Sequence, residues 1–423
     1  MTLAGDPRTA APGVLLRVLD SSGAELYAEH RRGGRQLEPP LPAGAHTVEI
    51  SARLHPRTSG TWRIGIAGFG RLGLELDGHP LLDGVFAATT DDPAVIHVSP
   101  PTQVVTARLT RGTTPLLVAR RELAPGTGRA TVVGAAPPAP GAAEALAAAS
   151  RAAREADVAV VVVGTGEQQE SEGRDRTHLG LGPEQDALVR AVARANPRTV
   201  AVVNSGGPVE LPWRDEVGAL LLAWFPGQEA GGGLADVLFG RTEPGGRLPT
   251  TWPAVLADAP VTRTRPDAGR FAYDEGVHVG HRGWLRARRA PAYWFGHGLG
   301  YTTWEYGELS GPERTPAGED LTVRVLVRNT GPRAGREVVQ IYLARPGPTA
   351  VDHPQRWLAG WAAVRARPGE TAVARVRVPA RALCHWDAGA GAWRTEPGPC
   401  RVLAGRSAGD LPLSLEVDVF HRS

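Results

Sequence analysis

Lysine is missing altogether from this 423-residue chain; all 47 of its basic residues are arginine. With the richness in alanine, glycine and proline, this reads as a codon-composition bias and not as a signature of nucleic-acid binding. The 44 acidic residues are interspersed among the arginines and the net charge is only +3. No basic stripe is left to neutralise a phosphate backbone, which argues against a nucleic-acid partner. Cysteine is almost as scarce. Cys384 and Cys400 are the only two, too few for a disulfide framework. They pair only if the segment between them folds as a hairpin; the low count fits a reducing compartment, so both are expected free. No apolar run approaches the length of a membrane span. The first residues, Met-Thr-Leu-Ala-Gly-Asp-Pro-Arg, hold no apolar core of a signal peptide, and a cytoplasmic location is expected.

What the chain does have is a globular composition, 42% hydrophobic and 22% charged, too apolar for disorder. Its length suits two to four domains. One stretch organises the rest. Val158 to Val163 is a run of valines around one alanine, which predicts a strand buried on both faces of a parallel sheet. It breaks at Gly164 and Gly166 into a loop crowded with charge: Glu167, Glu170, Glu172, Arg174, Asp175 and Arg176. In open α/β sheets, ligands bind beyond the carboxyl ends of the strands, so these carboxylates stand where chemistry is usually done.

On either side of this stretch the character differs. Residues 1–135 hold many short candidate strands, among them Val14–Leu19, Thr47–Leu54 with clean alternation, and Leu72–Asp83 folded about an Asp77-Gly78 turn. No helix is evident there, and a β-sandwich is expected. A proline-rich linker, 136–141, follows. Then helices (Ala142–Glu155, Pro183 to about Ala195, Gln228–Phe239) alternate with strands (Val158–Val163, Thr199–Asn204, Ala219–Phe225). This is the pattern of a parallel α/β layer. Three strands are fewer than the usual five or six and predict an exposed apolar edge. From about 306 to 423 the chain returns to alternating strands, the pattern of a small Ig-like sandwich.

Five segments and the two flanking sandwiches together resemble glycoside hydrolase family 3, the β-glucosidases and their relatives. Glu170-Ser-Glu-Gly-Arg-Asp-Arg176 is similar to the family's acid/base loop. Asn204–Trp213, Trp224–Glu229 and Gly245–Pro253 follow its α/β-sandwich domain. Phe295–Trp304 resembles its closing motif. The final sandwich looks like the family's fibronectin type III-like domain. The front, with Ser59–Trp62 and Leu76–Gly78, resembles the protective-antigen-type sandwich that some members carry as an insertion. The resemblance implies a multidomain chain: a β-sandwich (1–135), a linker (136–141), an α/β layer with a partly parallel sheet (142–305) and an Ig/fibronectin type III-like β-sandwich (306–423). The family's (β/α)8 barrel, which supplies the nucleophilic aspartate and most sugar contacts, has no counterpart in the sequence pattern, and neither has the first half of the α/β domain. The expectation is the C-terminal portion of a longer enzyme: a truncated product, a mispredicted start or one half of a split protein.

The resemblance also assigns roles. Glu172 is implied as the acid/base, with Glu170 as the alternative. Asp175 and Arg176 are expected to shape the loop by ion pairing and hydrogen bonding. Phe86, in the loop after Asp83, is a candidate wall of the leaving-group subsite, against the plainer reading of core or rim packing. Glu167 is read as a solvated carboxylate and His297 as structural. Asp91-Asp92 is weak evidence for calcium, and Gly164-Thr-Gly166 lacks the third glycine of a dinucleotide loop. No nucleophile, metal or cofactor is expected in the chain. The implied function is part of a retaining, exo-acting β-glycosidase acting on a β-linked glucoside or related glycoside. It is expected to be inactive without the barrel, which a separate chain or upstream sequence would supply. The alternative is a non-catalytic carbohydrate-binding or scaffolding protein.

Overall fold

Alternation along the strands decides most of the architecture. The computed structural model describes residues 4–36, 41–88, 93–98, 100–166, 169–171, 175–263, 265–347 and 349–422. The chain divides into two compact units, Met1–Ala145 and Leu146–Ser423.

The first unit contains β1 (Ala4–Gly5), β2 (Val14–Leu19), β3 (Glu25–Arg31), β4 (Arg35–Gln36), β5 (Thr47–Leu54), β6 (Gly60–Ala67), β7 (Gly70–Leu76), β8 (His79–Phe86), β9 (Thr102–Leu109), β10 (Leu116–Glu122) and β11 (Thr131–Ala136). One sheet runs β3-β2-β5-β10-β7-β8 with β1 beside β5; the other runs β4-β11-β6-β9. Trp62, Ile64, Ile66, Leu72, Leu74 and Leu117 fill one part of the core. The β7–β8 turn is as expected: Asp77 and Gly78 both have positive φ, 48° and 79°, the conformation of the hairpin turn that matches strand twist. Two expectations are corrected. β5 is buried on both faces because Glu49, on its polar side, lies in register between Arg17 and Arg120, which pair with it and cover it. And one helix is present, α1 (Pro93–His97); five residues are too few for a helical period to show in the sequence.

The second unit opens with an α/β layer. Its elements are α2 (Ala142–Glu155, which begins in the last residues of the first unit), β12 (Ala159–Gly164), α3 (Pro183–Ala195), β13 (Thr199–Asn204), β14 (Ala219–Leu222) and α4 (Ala230–Leu238). β12, β13 and β14 form one parallel sheet in that order. Pro183 occupies the first turn of α3 and Asn196 caps its end, as proline's missing N–H and fixed φ favour. Asn196 also donates to the carbonyls of Ala153 and Ala156 at 2.9 and 2.8 Å, tying the ends of α2 and α3 together.

The expected burial of β12 on both faces is corrected. Ala159, Val161 and Val163 pack with Val189, Val192, Ala201 and Val203. Val160 and Val162, on the opposite face, are 46% and 52% exposed. The reason is coverage: side chains of α2 and α3 join the buried cluster on one face, and that cluster does not include the two valines on the other.

The unit ends in α5 (His281–Ala287) and a sandwich of β15 (Trp304–Ser310), β16 (Arg314–Pro316), β17 (Leu321–Asn329), β18 (Gly335–Ala344), β19 (Trp357–Ala366), β20 (Thr371–Val378), β21 (Cys384–Asp387), β22 (Ala392–Thr395), β23 (Gly398–Gly405) and β24 (Leu413–Phe420). Sheets β15-β17-β20 and β16-β24-β23-β18-β19 enclose a core rich in valine, including Val323, Val325, Val327, Val376, Val402 and Val417. β21 and β22 pair as a separate hairpin. Cys384 and Cys400 are both free, as expected.

Candidate active site

The carboxyl ends of the three parallel strands bring together residues distant in sequence. Gly164 ends β12 where a side chain would not fit: a Cβ there would lie 2.1 Å from the carbonyl oxygen of Asn204. Thr165 continues the ladder by one bond, its N–H donating to that same carbonyl at 2.9 Å. The chain then turns back on itself. The N–H groups of Gln169 and Glu170 both donate to the carbonyl of Gly166 at 2.9 Å.

This return puts the Glu170 carboxylate over the turn that follows β13. Oε2 accepts from the Thr165 hydroxyl at 2.5 Å and from the Gly206 N–H at 3.0 Å. Oε1 faces the Arg176 guanidinium at 3.9 Å. Arg176 itself donates to the carbonyl of Pro208 at 2.9 Å. Hydrogen bonds to an ionised acceptor are about twice as strong as neutral ones, and Glu170 is only 21% exposed. From the segment beyond the third strand, which ends at Leu222 and not at the expected Phe225, comes Phe225. A Cβ built on Gly206 would meet both Oε1 of Glu170 and the ring of Phe225 at 2.9 Å. Phe225 follows Trp224, whose φ is +54°, a left-handed conformation that is an outlier for a bulky residue. Trp224 stands edge-on to Trp252 at 6.1 Å between ring centroids.

Of the site residues expected from the sequence, Glu170 and Arg176 are brought together, and Asp175 is exposed. Glu172, Glu167, Arg174 and the Asp91-Asp92 pair lie outside the described residues. Phe86 is the last residue of β8 and not part of a loop. It is half-buried and packs against the core of its own unit, with its ring over Gly84, where a Cβ would lie 3.1 Å from it. His297 stacks on Tyr293 at 5.1 Å, and burial with the neighbouring Arg247 lowers its pKa, as suits a structural histidine. Among the described residues no group of three or more histidine, cysteine, aspartate or glutamate side chains is placed to hold a metal.

Sequence reasoning missed Thr165, Gly206 and Phe225 as parts of one cluster, and Gln185 as its support. Gln185 accepts from the N–H of Gly164 at 2.8 Å and donates to its carbonyl at 3.0 Å. The only advance signal was position: each of the first three stands within three residues of a predicted strand end.

Comparison with known proteins adds the following. Residues 44–301 match the model of the glycosyl hydrolase family 3 C-terminal domain, and residues 337–408 match the fibronectin type III-like domain. A probable β-glucosidase I of Aspergillus terreus is 40% identical over 284 residues, 65% of this chain and 34% of the relative. A β-glucosidase of Rhizobium radiobacter is 39% identical over 279 residues, 64% of this chain and 34% of the relative. Among solved structures, the β-glucosidase of Kluyveromyces marxianus in complex with glucose superposes with a TM-score of 0.85 at 26% identity, covering 99% of this chain and 51% of that one. DesR, a β-glucosidase from Streptomyces venezuelae in complex with D-glucose, gives 0.65 at 32% identity, covering 92% and 48%. The chain thus spans about a third of the length of the curated relatives and about half that of these two solved structures.

Proposed function

Because this chain belongs to glycoside hydrolase family 3, we propose that it is the part of a retaining β-glycosidase that supplies the acid/base carboxyl, Glu172. The nucleophile comes from a barrel domain, carried on a separate chain or on continuous sequence. Retaining hydrolysis requires two carboxyl groups about 5–5.5 Å apart, one attacking the anomeric carbon and one protonating the leaving oxygen. The chain is therefore inactive alone. The observation that carries this reading is the tethering of Glu170 and Arg176, which flank Glu172 in sequence, at the carboxyl end of a parallel sheet. Such an end is where α/β proteins bind ligands. The substrate class is a β-linked glucoside or related glycoside, in keeping with the names of the relatives. The test is to supply the barrel and ask whether turnover of an aryl β-glucoside appears and depends on Glu172.

A second reading, carbohydrate binding without catalysis, is favoured by one observation. Trp386 and Trp393 lie opposite each other on the β21–β22 hairpin and are 52% and 45% exposed. Tryptophan rings are costly to leave in water without a use. Calorimetric titration of the chain with cello-oligosaccharides tests it; binding that disappears in Trp386→Ala supports this reading, and no heat excludes it.

A further inference from the structure

We propose that Glu170 is a positioning residue. Its carboxylate clasps the loop carrying Glu172 to the turn after β13, and Phe225 closes the clasp from the segment that follows β14. The role rests on the reading of Glu172 as acid/base; the clasp itself does not.

The geometry assigns the contacts of the Glu170 carboxylate with the described residues to holding. Both donors on Oε2 come from strand ends: Thr165 directly after β12, and Gly206 two residues after β13. The third partner, Arg176, approaches Oε1 and is anchored in turn on Pro208. One carboxylate therefore joins the start of the loop, its far side and the neighbouring turn. A general acid must direct an O–H at the leaving oxygen, whereas among the described residues the partners of the Glu170 carboxylate are donors that use its oxygens as acceptors. Gly206 is part of the same device, since a Cβ there would collide with the carboxylate and with the Phe225 ring. The left-handed conformation of Trp224 is strain of the kind that persists where the surroundings enforce it. It turns the chain at the end of β14 so that Phe225 reaches Gly206. Phe225 remains 57% exposed, so its ring serves the clasp and not a core.

The loop contains its own reporters, because trypsin cuts after Arg174 and Arg176. In the full chain, Glu170→Ala is expected to speed cleavage at these two bonds by about ten- to a hundredfold, the effect of losing a charge-assisted hydrogen-bond set that resists local opening. Cuts elsewhere and the melting temperature are expected to stay near wild type. Glu170→Gln keeps an oxygen for Thr165 and Gly206 and is expected to remain within about threefold. Gly206→Ala is expected to behave like Glu170→Ala. Should Glu170→Ala fail to fold, Thr165→Val removes a single partner and reads the same bonds. Cleavage of Glu170→Ala, or in that event Thr165→Val, at the wild-type rate would overturn the clasp.

The second arm uses the chain with its barrel supplied. Glu170→Ala is expected to lower kcat by a similar factor for good and poor leaving groups, with no rescue by azide and recovery in Glu170→Gln. A loss that grows as the leaving group worsens, together with azide rescue, would make Glu170 the acid/base and overturn its positioning role. If the wild-type chain with its barrel shows no turnover at all, the functional reading fails and the proteolysis still judges the clasp.

Discussion

Gln185, in the first turn of α3, closes a ring of two hydrogen bonds with the backbone of Gly164, accepting from its N–H and donating to its carbonyl, as a neighbouring strand would. The same amide also donates to Leu181 at 2.8 Å. Strand β12 thus ends against a side chain that does the work of a fourth strand. Gln185→Ala leaves both groups of Gly164 without this partner. The expected cost is roughly 1–3 kcal/mol, measured as a lower urea midpoint. Gln185→Glu should do no better, because a carboxylate repels the two carbonyls that the amide now serves.

On the proposed reading the isolated chain is expected to show no turnover of an aryl β-glucoside, since the covalent intermediate needs the nucleophile of the barrel. With the barrel supplied, Glu172→Ala should lower activity by about a hundred- to ten-thousandfold. The loss should be largest for poor leaving groups, which need protonation most. Azide should partly restore turnover of activated substrates, because a small anion replaces the base-assisted water. Activity of the pure chain that vanishes in Glu172→Ala would overturn the reading that a barrel is needed.

Val160 and Val162, on β12, an edge strand of the parallel sheet, leave an apolar face of that sheet in water. Uncovered faces and edges of this kind drive association. The isolated chain should therefore self-associate as its concentration rises, seen by light scattering. The double substitution Val160→Thr, Val162→Thr keeps the strand and should shift the species toward monomer. A monomeric wild type at high concentration would show that this face needs no cover.

His281 stacks on Phe295 at 4.9 Å and meets the edge of Tyr342 at 5.9 Å. Burial, with Arg282 and Arg356 nearby, brings its pKa down from 6.5 to about 4. The fold thus favours neutral imidazole, and the unfolded chain takes up a proton first as pH falls. Stability from this residue is complete above pH 6.5, declines between 6.5 and about 4, and is then lost. At about 1.4 kcal/mol per pH unit between the two values, the loss is on the order of 3 kcal/mol. The difference in urea midpoint between wild type and His281→Phe should follow this window; a difference that stays flat from pH 7.5 to 4.5 would exclude His281 as its source.

Much of the fold was legible locally. The alternation in Leu321–Asn329 gave a strand with alternate residues buried. Asp77-Gly78 gave a hairpin, and Pro183 gave a helix start, because each acts through its own φ and its immediate neighbours. β19 was not legible. Its sequence, Trp-Leu-Ala-Gly-Trp-Ala-Ala-Val-Arg-Ala, has low strand propensity, and it is extended because β18 pairs with it along its length.

The candidate site divides in the same way. Residue type and position after a strand drew attention to the loop from Glu167 to Arg176, since a buried strand running into charge is a local pattern. The partners of Glu170 were beyond reach: Gly206 is 36 residues away and Phe225 farther still, joined to it only because β12, β13 and β14 lie side by side. The burial of β12 was likewise decided by tertiary structure. A run of valines determines that both faces are apolar; which face is covered depends on where the helices pack.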